Sequence, residues 1–530
     1  MKSYYKFLET TKPLGERVSA TRKPVFRSSA IFPVIHSQSY ATCVSFMGYW
    51  LMKRQIREVS VLYTLRDKSG QILLRNSLLV DEARVYVLEI AALRREAGLL
   101  QKEEAEFYGS LEIEVFSTRN LFITYPAIVL CFYNDSFSTA VHTTGRIYND
   151  IEDLQENEES RVAESGFDIY GDPEMRPFCA FTHGPLPHKT PEIAYTVINH
   201  RLEEFQGVIR LSPLAAYETV FLYFKDYIDL APLLDGKAGL IKLRHNLKGF
   251  FPRFIGGNFE SSKQSASITH TFYDCSSAVT PQDYWDKKNP QNHDASIMIP
   301  LFLEEDAYTD LVFYPIYSPS VFEFSLDFYG SEGNRLAHIP QHKRFDARKP
   351  IFTRIDFRSL VQEKKLDPSK VRAAHLIFNA AEGFRIPTRI KMGLNVGMLP
   401  LQAQLPCNIC FAPKVGDPDA LKNRSFHWAP LLNFGDSKLV ITNDSASKDY
   451  SRSANVRLNF FRASDDDRKC REICLTPFAQ YRVDLAKEPD LRAFFEDKIG
   501  WATVESDNPH VYGWYFDFHR SGAVAGDHFF

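Results

Sequence analysis

The sequence predicts an all-β protein, a tandem array of about four β-sandwich domains of roughly 130 residues, each with one short helix. Three observations predict it. The segments Leu-Ser-Pro-Leu-Ala-Ala-Tyr (211–217) and Leu-Thr-Pro-Phe-Ala-Gln-Tyr (475–481) are near copies 264 residues apart, twice a domain-sized interval. Aromatic anchors recur at Tyr86, Tyr217, Phe352 and Tyr481, and small residues that open a strand recur at Gly109, Gly239, Ala374 and Gly500, on about the same period. Between these landmarks alternating segments are broken by turns and by a single short helical stretch, whereas a parallel sheet would need a crossover of a dozen residues between most strands.

Taken in order, residues 1–40 carry Lys12-Pro13, Lys23-Pro24 and Phe32-Pro33, and proline at this density predicts an extended N-terminal arm. The first sandwich is placed at 41–150. Val59, Val61, Tyr63 and Leu65 alternate with polar residues, the pattern of a strand with one buried face. Asp67-Lys-Ser-Gly70 then turns the chain into Ile72-Leu-Leu, a hairpin. Residues 151–190 open with Glu152, Asp153, Glu156, Glu158 and Glu159 and close on Pro185-Leu-Pro187, and are read as a linker.

The second sandwich is placed at 191–290, with Ile193–Val197 in the same role. In the third, at 291–415, Phe322, Phe324, Leu326 and Phe328 alternate before Gly330-Ser-Glu-Gly333. In the fourth, at 416–530, Val456, Leu458 and Phe460 precede Ser464-Asp-Asp-Asp467. The helix that follows is clearest at 489–499, where Leu491, Phe494 and Phe495 share one face and Gly500 ends the run. In the first sandwich it is expected over 91–107, and in the middle two it shrinks to a turn or two.

At 530 residues the chain exceeds what one core supports. A 44% hydrophobic and 14% aromatic content makes it globular, and 42 Phe and 25 Tyr against 7 Met favour pleated sheets. A net charge of −3 without a long Lys/Arg run gives no reason to expect nucleic acid. No apolar run approaches the ~20 residues that span a bilayer, and the first residues carry no secretory pattern, so a cytoplasmic protein is expected. Eight scattered cysteines agree with a reducing compartment.

The signatures of P-loop nucleotide binding, zinc proteases and serine hydrolases are absent, so no catalytic residue and no cofactor are assigned. The strongest metal-like spacing is Cys407-x-x-Cys410 with Cys470-x-x-x-Cys474, four thiolates in the number zinc takes. On a strand, however, positions 407 and 410 point to opposite faces, so these are read as core cysteines. His142, His270 and His528 recur near the ends of three units, with Cys410 near the matching place in the other; imidazoles there suit a ligand site, and edge-strand packing explains them as well. Trp514 and Tyr515 lie among crowded aromatics that suit sugar stacking or a protein anchor, and burial of both faces of the strand, one in the sandwich and one against another unit or subunit, explains them as well.

The functional expectation is a non-enzymatic binding or structural protein that works through protein contacts, self-association included. A carbohydrate-binding sandwich, and an enzyme or metal protein using the unit-end histidines, are the alternatives.

Overall fold

Residues 24–99, 106–122, 126–142, 145, 163–250, 253–262, 264–274, 294–304, 306–314, 320–346, 352–384, 386, 390–399, 405–415, 424–447 and 449–530 are described by the computed structural model. Among the described residues strands hold 56% and helices 9%, which makes the protein all-β.

The strands form four sandwiches. The first contains β1 (Arg27–His36), β2 (Ala41–Met47), β3 (Val59–Asp67), β4 (Ile72–Val80), β5 (Val85–Glu89), β6 (Phe107–Phe116), β7 (Val129–Asn134) and β8 (Phe137–His142). In the second are β9 (Ala163–Tyr170), β10 (Met175–Thr182), β11 (Glu192–Ile198), β12 (Glu204–Arg210), β13 (Thr219–Tyr223), β14 (Ala238–His245), β15 (Ile255–Glu260) and β16 (Ser265–His270), with an added β17 (Phe272–Asp274). The third has β18 (Asp294–Pro300), β19 (Ala307–Phe313), β20 (Val321–Tyr329), β21 (Arg335–Asp346), β22 (Thr353–Asp356), β23 (Ala373–Ala380), β24 (Met392–Met398) and β25 (Cys407–Phe411), with an added β26 (Lys414–Val415). The fourth comprises β27 (Ser425–Leu431), β28 (Asp436–Asn443), β29 (Ala454–Phe461), β30 (Arg468–Leu475), β31 (Gln480–Asp484), β32 (Gly500–Ser506), β33 (Val511–Phe518) and β34 (Val524–His528).

Counting strands one to eight within each sandwich, one sheet has the order one-six-three-four and the other five-two-seven-eight, in all four cases. Identical connectivity in four successive segments is what a repeated module requires. Besides α1 (Tyr49–Lys53), the helices α2 (Ile90–Glu96), α3 (Leu230–Leu234), α4 (Phe357–Glu363) and α5 (Pro489–Phe494) each follow the fifth strand. In α5 Leu491 is buried, and Phe495 just beyond it is buried too, the face expected from the spacing.

Several expectations are corrected. The arm expected over 1–40 is not one throughout, because Arg27–His36 forms β1 and pairs residue for residue with β6. Pro33 is tolerated because β1 is the outer strand of its sheet. The linker expected over 151–190 contains β9 and β10; its acidic opening lies outside the described residues. The first helix stops at Glu96 rather than reaching Phe107, which opens β6.

Over the described residues the chain divides into two compact units, one over Thr21–Tyr273 with Arg462–Asp467 and the other over Asp274–Phe461 with Arg468–Phe530. Each holds two sandwiches. In the first unit the β3–β4 turn docks on the residues that lead into β13: the Thr219 N–H donates to the Lys68 carbonyl over 2.9 Å. Gly70 has φ +89°, and a Cβ there would sit 2.3 Å from the Ala216 carbonyl oxygen. The Arg66 guanidinium lies 4.1 Å from the Tyr217 ring centre and pairs with buried Glu112 at 3.0 Å. Burial and neighbouring Glu114 push the Glu112 carboxyl above its ordinary value, against the pull of Arg66.

The second unit repeats the clasp between β20–β21 and β31. There the Gln480 N–H donates to the Ser331 carbonyl over 2.9 Å, and the Thr476 hydroxyl donates to the Glu332 carbonyl over 2.9 Å. Gly333 has φ +82°, and a Cβ there would sit 2.2 Å from the Pro477 carbonyl oxygen. In place of the cation over a ring, Tyr329 stacks on Phe478 with centroids 5.0 Å apart.

Tyr217 and Phe478, at φ +60° and +61°, are therefore the matching residues, 261 apart rather than 264. The two sequence phrases are out of structural step at their C-terminal ends. Tyr481 sits inside β31, as Tyr86 does inside β5, whereas Tyr217 and Phe352 precede their strands.

Candidate functional site

The histidine positions lie on the eighth strand, and in the first unit two eighth strands lie side by side. The Ile268 N–H of β16 donates to the Thr139 hydroxyl of β8 over 3.0 Å, which ties the two strands near their middles. His142 closes β8 and His270 closes β16, so the same contact brings their rings edge to face with centroids 4.6 Å apart. Both side chains are buried. Arg253 Nη2 lies 3.0 Å from each ring nitrogen of His270, and His270 Nδ1 lies 3.2 Å from the Thr271 carbonyl. Arg253 carried no sequence signal, because a lone Arg before a strand has many ordinary uses.

In the second unit β25 packs beside β34, so Cys410 and His528 occupy the corresponding strands. The two are not equivalent in environment. Cys410 is buried, whereas His528 is partly exposed, with Nδ1 donating to the Phe529 carbonyl over 2.8 Å. Tyr512 has ring neighbours in His528 at 6.4 Å and His427 at 5.9 Å, with the Lys414 ammonium 5.1 Å from its centre. Burial, with Asp527 and Asp444 nearby, raises the Tyr512 phenol well above its ordinary value, so it stays protonated at neutral pH.

Trp514 and Tyr515 form no exposed platform. Trp514 is fully buried in a core that joins the third and fourth sandwiches, edge-on to Phe411 at 5.2 Å. Tyr515, on the opposite face of β33, is buried as well. The alternation of the strand was legible in the sequence, but the burial of both faces depends on what covers them. The four candidate zinc cysteines do not converge either. Cys407 and Cys410 are buried in β25, while Cys470 and Cys474 stand exposed on β30.

Two histidines that lacked any motif are strongly shifted. Burial lowers the pKa of His183, after β10, to about 4, and does the same to His245 at the end of β14. His183 lies edge to face with Phe250 at 5.3 Å, and His245 lies 5.2 Å from Phe254. Both are held neutral in an aromatic setting.

No protein-family model matches the chain, and no curated protein matches it. Among solved structures, the crystal structure of a tetra-tandem repeat in the extending region of a large adhesion protein is 7% identical over 89% of this chain and 90% of that one, with a TM-score of 0.08. At that TM-score the backbones do not superpose, and the likeness contributes nothing to fold or function. No helix among the described residues is long and apolar enough to cross a membrane.

Proposed function

We propose that the chain is a non-enzymatic binding or structural protein that acts through protein contacts of its repeated sandwiches. One observation carries this reading. The same docking contact, a glycine-tipped hairpin set on the turn before a fifth strand, is built twice from different side chains. A fold that makes sandwich-to-sandwich contacts repeatedly by turns and edges is suited to offering the same kinds of surface outward. The burial of Trp514 and Tyr515 removes the sequence's best argument for sugar stacking. On this reading His142 and His270 close the seam between β8 and β16.

The test is reconstitution. Proteins labelled by proximity in the source cells are purified, and each is titrated against the full chain. Saturable binding of at least one protein, or of the chain to itself, with Kd below about 10 µM is expected. Saturable glycan binding with no protein partner up to about 100 µM would overturn the proposal.

A further inference from the structure

The outer strand β4 has β3 on one side and no strand on the other among the described residues. Its three counterparts at the same sheet edge each carry a feature that discourages pairing. Strand β12 is shorter, with Gly207 at its centre and Glu204 and Arg210 at its ends. Strand β21 contains Pro340, and its pairing with β20 is broken by two register shifts. Strand β30 presents Arg468, Lys469, Arg471 and Glu472 within eight residues. Strand β4 reads Ile-Leu-Leu-Arg-Asn-Ser-Leu-Leu-Val, nine residues with no Pro, no Gly and one charge; its pairing with β3 shifts register once, at the Ile72 end, and the Ser77 N–H donates to Asn76 Oδ1 over 2.8 Å. That charge, Arg75, is turned along its own sheet towards Glu114 at 3.6 Å. At the two ends of the strand Ile72 and Leu79 stand 50% and 48% exposed.

The order of residues specifies the occupant. About Asn76 the strand is a hydropathic palindrome: Leu74 answers Leu78, Leu73 answers Leu79, Ile72 answers Val80, Arg75 answers Ser77, and Asn76 answers itself. We propose that β4 pairs antiparallel with β4 of a second copy of this chain, about a twofold axis at Asn76. This deepens the protein-contact reading and rests on it.

Opposed residues in an antiparallel pair share a face, so over the stretch in which β4 keeps step with β3 the palindrome sets Leu74 against Leu78 on one face about Asn76. Centring the axis on Arg75 would oppose two arginines, and centring it on Ser77 would set Arg75 against Leu79. Only the Asn76 register matches throughout. A twofold contact uses one patch twice, which is what a self-complementary strand provides.

Sedimentation of the full chain from about 1 to about 100 µM is expected to show a two-chain species. Ile72→Lys with Leu79→Lys replaces the two exposed large apolar side chains of the strand with charge and, by symmetry, sets four lysines along the paired edges, so dimerisation is expected to weaken at least about 100-fold with the circular dichroism unchanged. In a Cys470→Ser, Cys474→Ser background, Asn76→Cys is expected to cross-link to its own copy under mild oxidant. Arg75→Cys is not, because its copy lies about 7–8 Å away on the diagonal. A chain that stays single at every concentration, a double-lysine variant that still dimerises, or cross-linking by Arg75→Cys in preference to Asn76→Cys would overturn the proposal. A single-chain result leaves the broader reading to its own titrations, so the two failures are distinguishable.

Discussion

The clasps of the two units share one backbone and differ in the side chains that complete it. In the first, an ion-paired guanidinium covers Tyr217; in the second, a tyrosine ring covers Phe478. Both keep glycine at the tip and a left-handed aromatic in the acceptor turn. The left-handed conformation costs a residue with a side chain roughly 1–2 kcal/mol, so each clasp needs a ring contact that offsets it. The difference teaches that backbone approach constrains the joint sterically, while any flat group that fills the space above the ring serves as its cover.

The largest test breaks the covers. Arg66→Ala leaves Glu112 buried without its cation and is expected to cost the first unit about 3–5 kcal/mol in denaturant unfolding. Tyr329→Ala removes a ring and no charge, and about 3 kcal/mol is expected in the second unit. A cost below about 1 kcal/mol for Arg66→Ala would mean that the guanidinium is incidental to the joint.

The next test addresses the tips. Gly70→Ala and Gly333→Ala each drive a Cβ into a carbonyl at positive φ, so about 1–3 kcal/mol is expected in either unit. Similar losses, with faster hydrogen exchange at the Thr219 and Gln480 amides, are the expected result. Unequal losses would show that the backbone constraint is not shared.

Acidification separates the units further. His183 and His245 are neutral in the folded first unit down to about pH 4, whereas an unfolded histidine takes a proton near pH 6.5. The unfolded state therefore binds more protons in that window, and stability falls with pH by up to about 1.4 kcal/mol per unit per histidine. Glu89 and Glu112, raised by burial, oppose this near and above the usual carboxylate range. The His183→Phe variant isolates the histidine, and its acid slope is expected to be shallower than that of the wild type. In the second unit burial shifts His342 and His375 downward as well, so it too weakens in acid.

The smallest effect is expected on β30. Because Cys470 and Cys474 are exposed and remote in role from the buried pair in β25, replacing both with serine should change stability by less than about 0.5 kcal/mol and leave the metal content unaltered.

Much of the architecture was legible in the chain, and the reason is local. Val59, Val61, Tyr63 and Leu65 write one buried face into β3 directly, and Asp67–Gly70 and Gly330–Gly333 mark the turns that became clasp tips. The candidate sites were less legible. His142 and His270 were visible as a recurrence, but Arg253 beside them had no pattern, and the crowding of aromatics around Trp514 and Tyr515 allowed both a covered strand and an exposed platform until the covering elements were seen.

Strand period, turn chemistry and module length are set by neighbours a few residues apart, so the sequence by itself determined the all-β class and the fourfold repetition. Which faces are covered, which loops meet and which residues truly correspond depend on contacts between segments far apart in the chain. That is why only the tertiary structure decided that Arg27–His36 is a strand, that Tyr217 answers Phe478, and that β4 is left with an open edge.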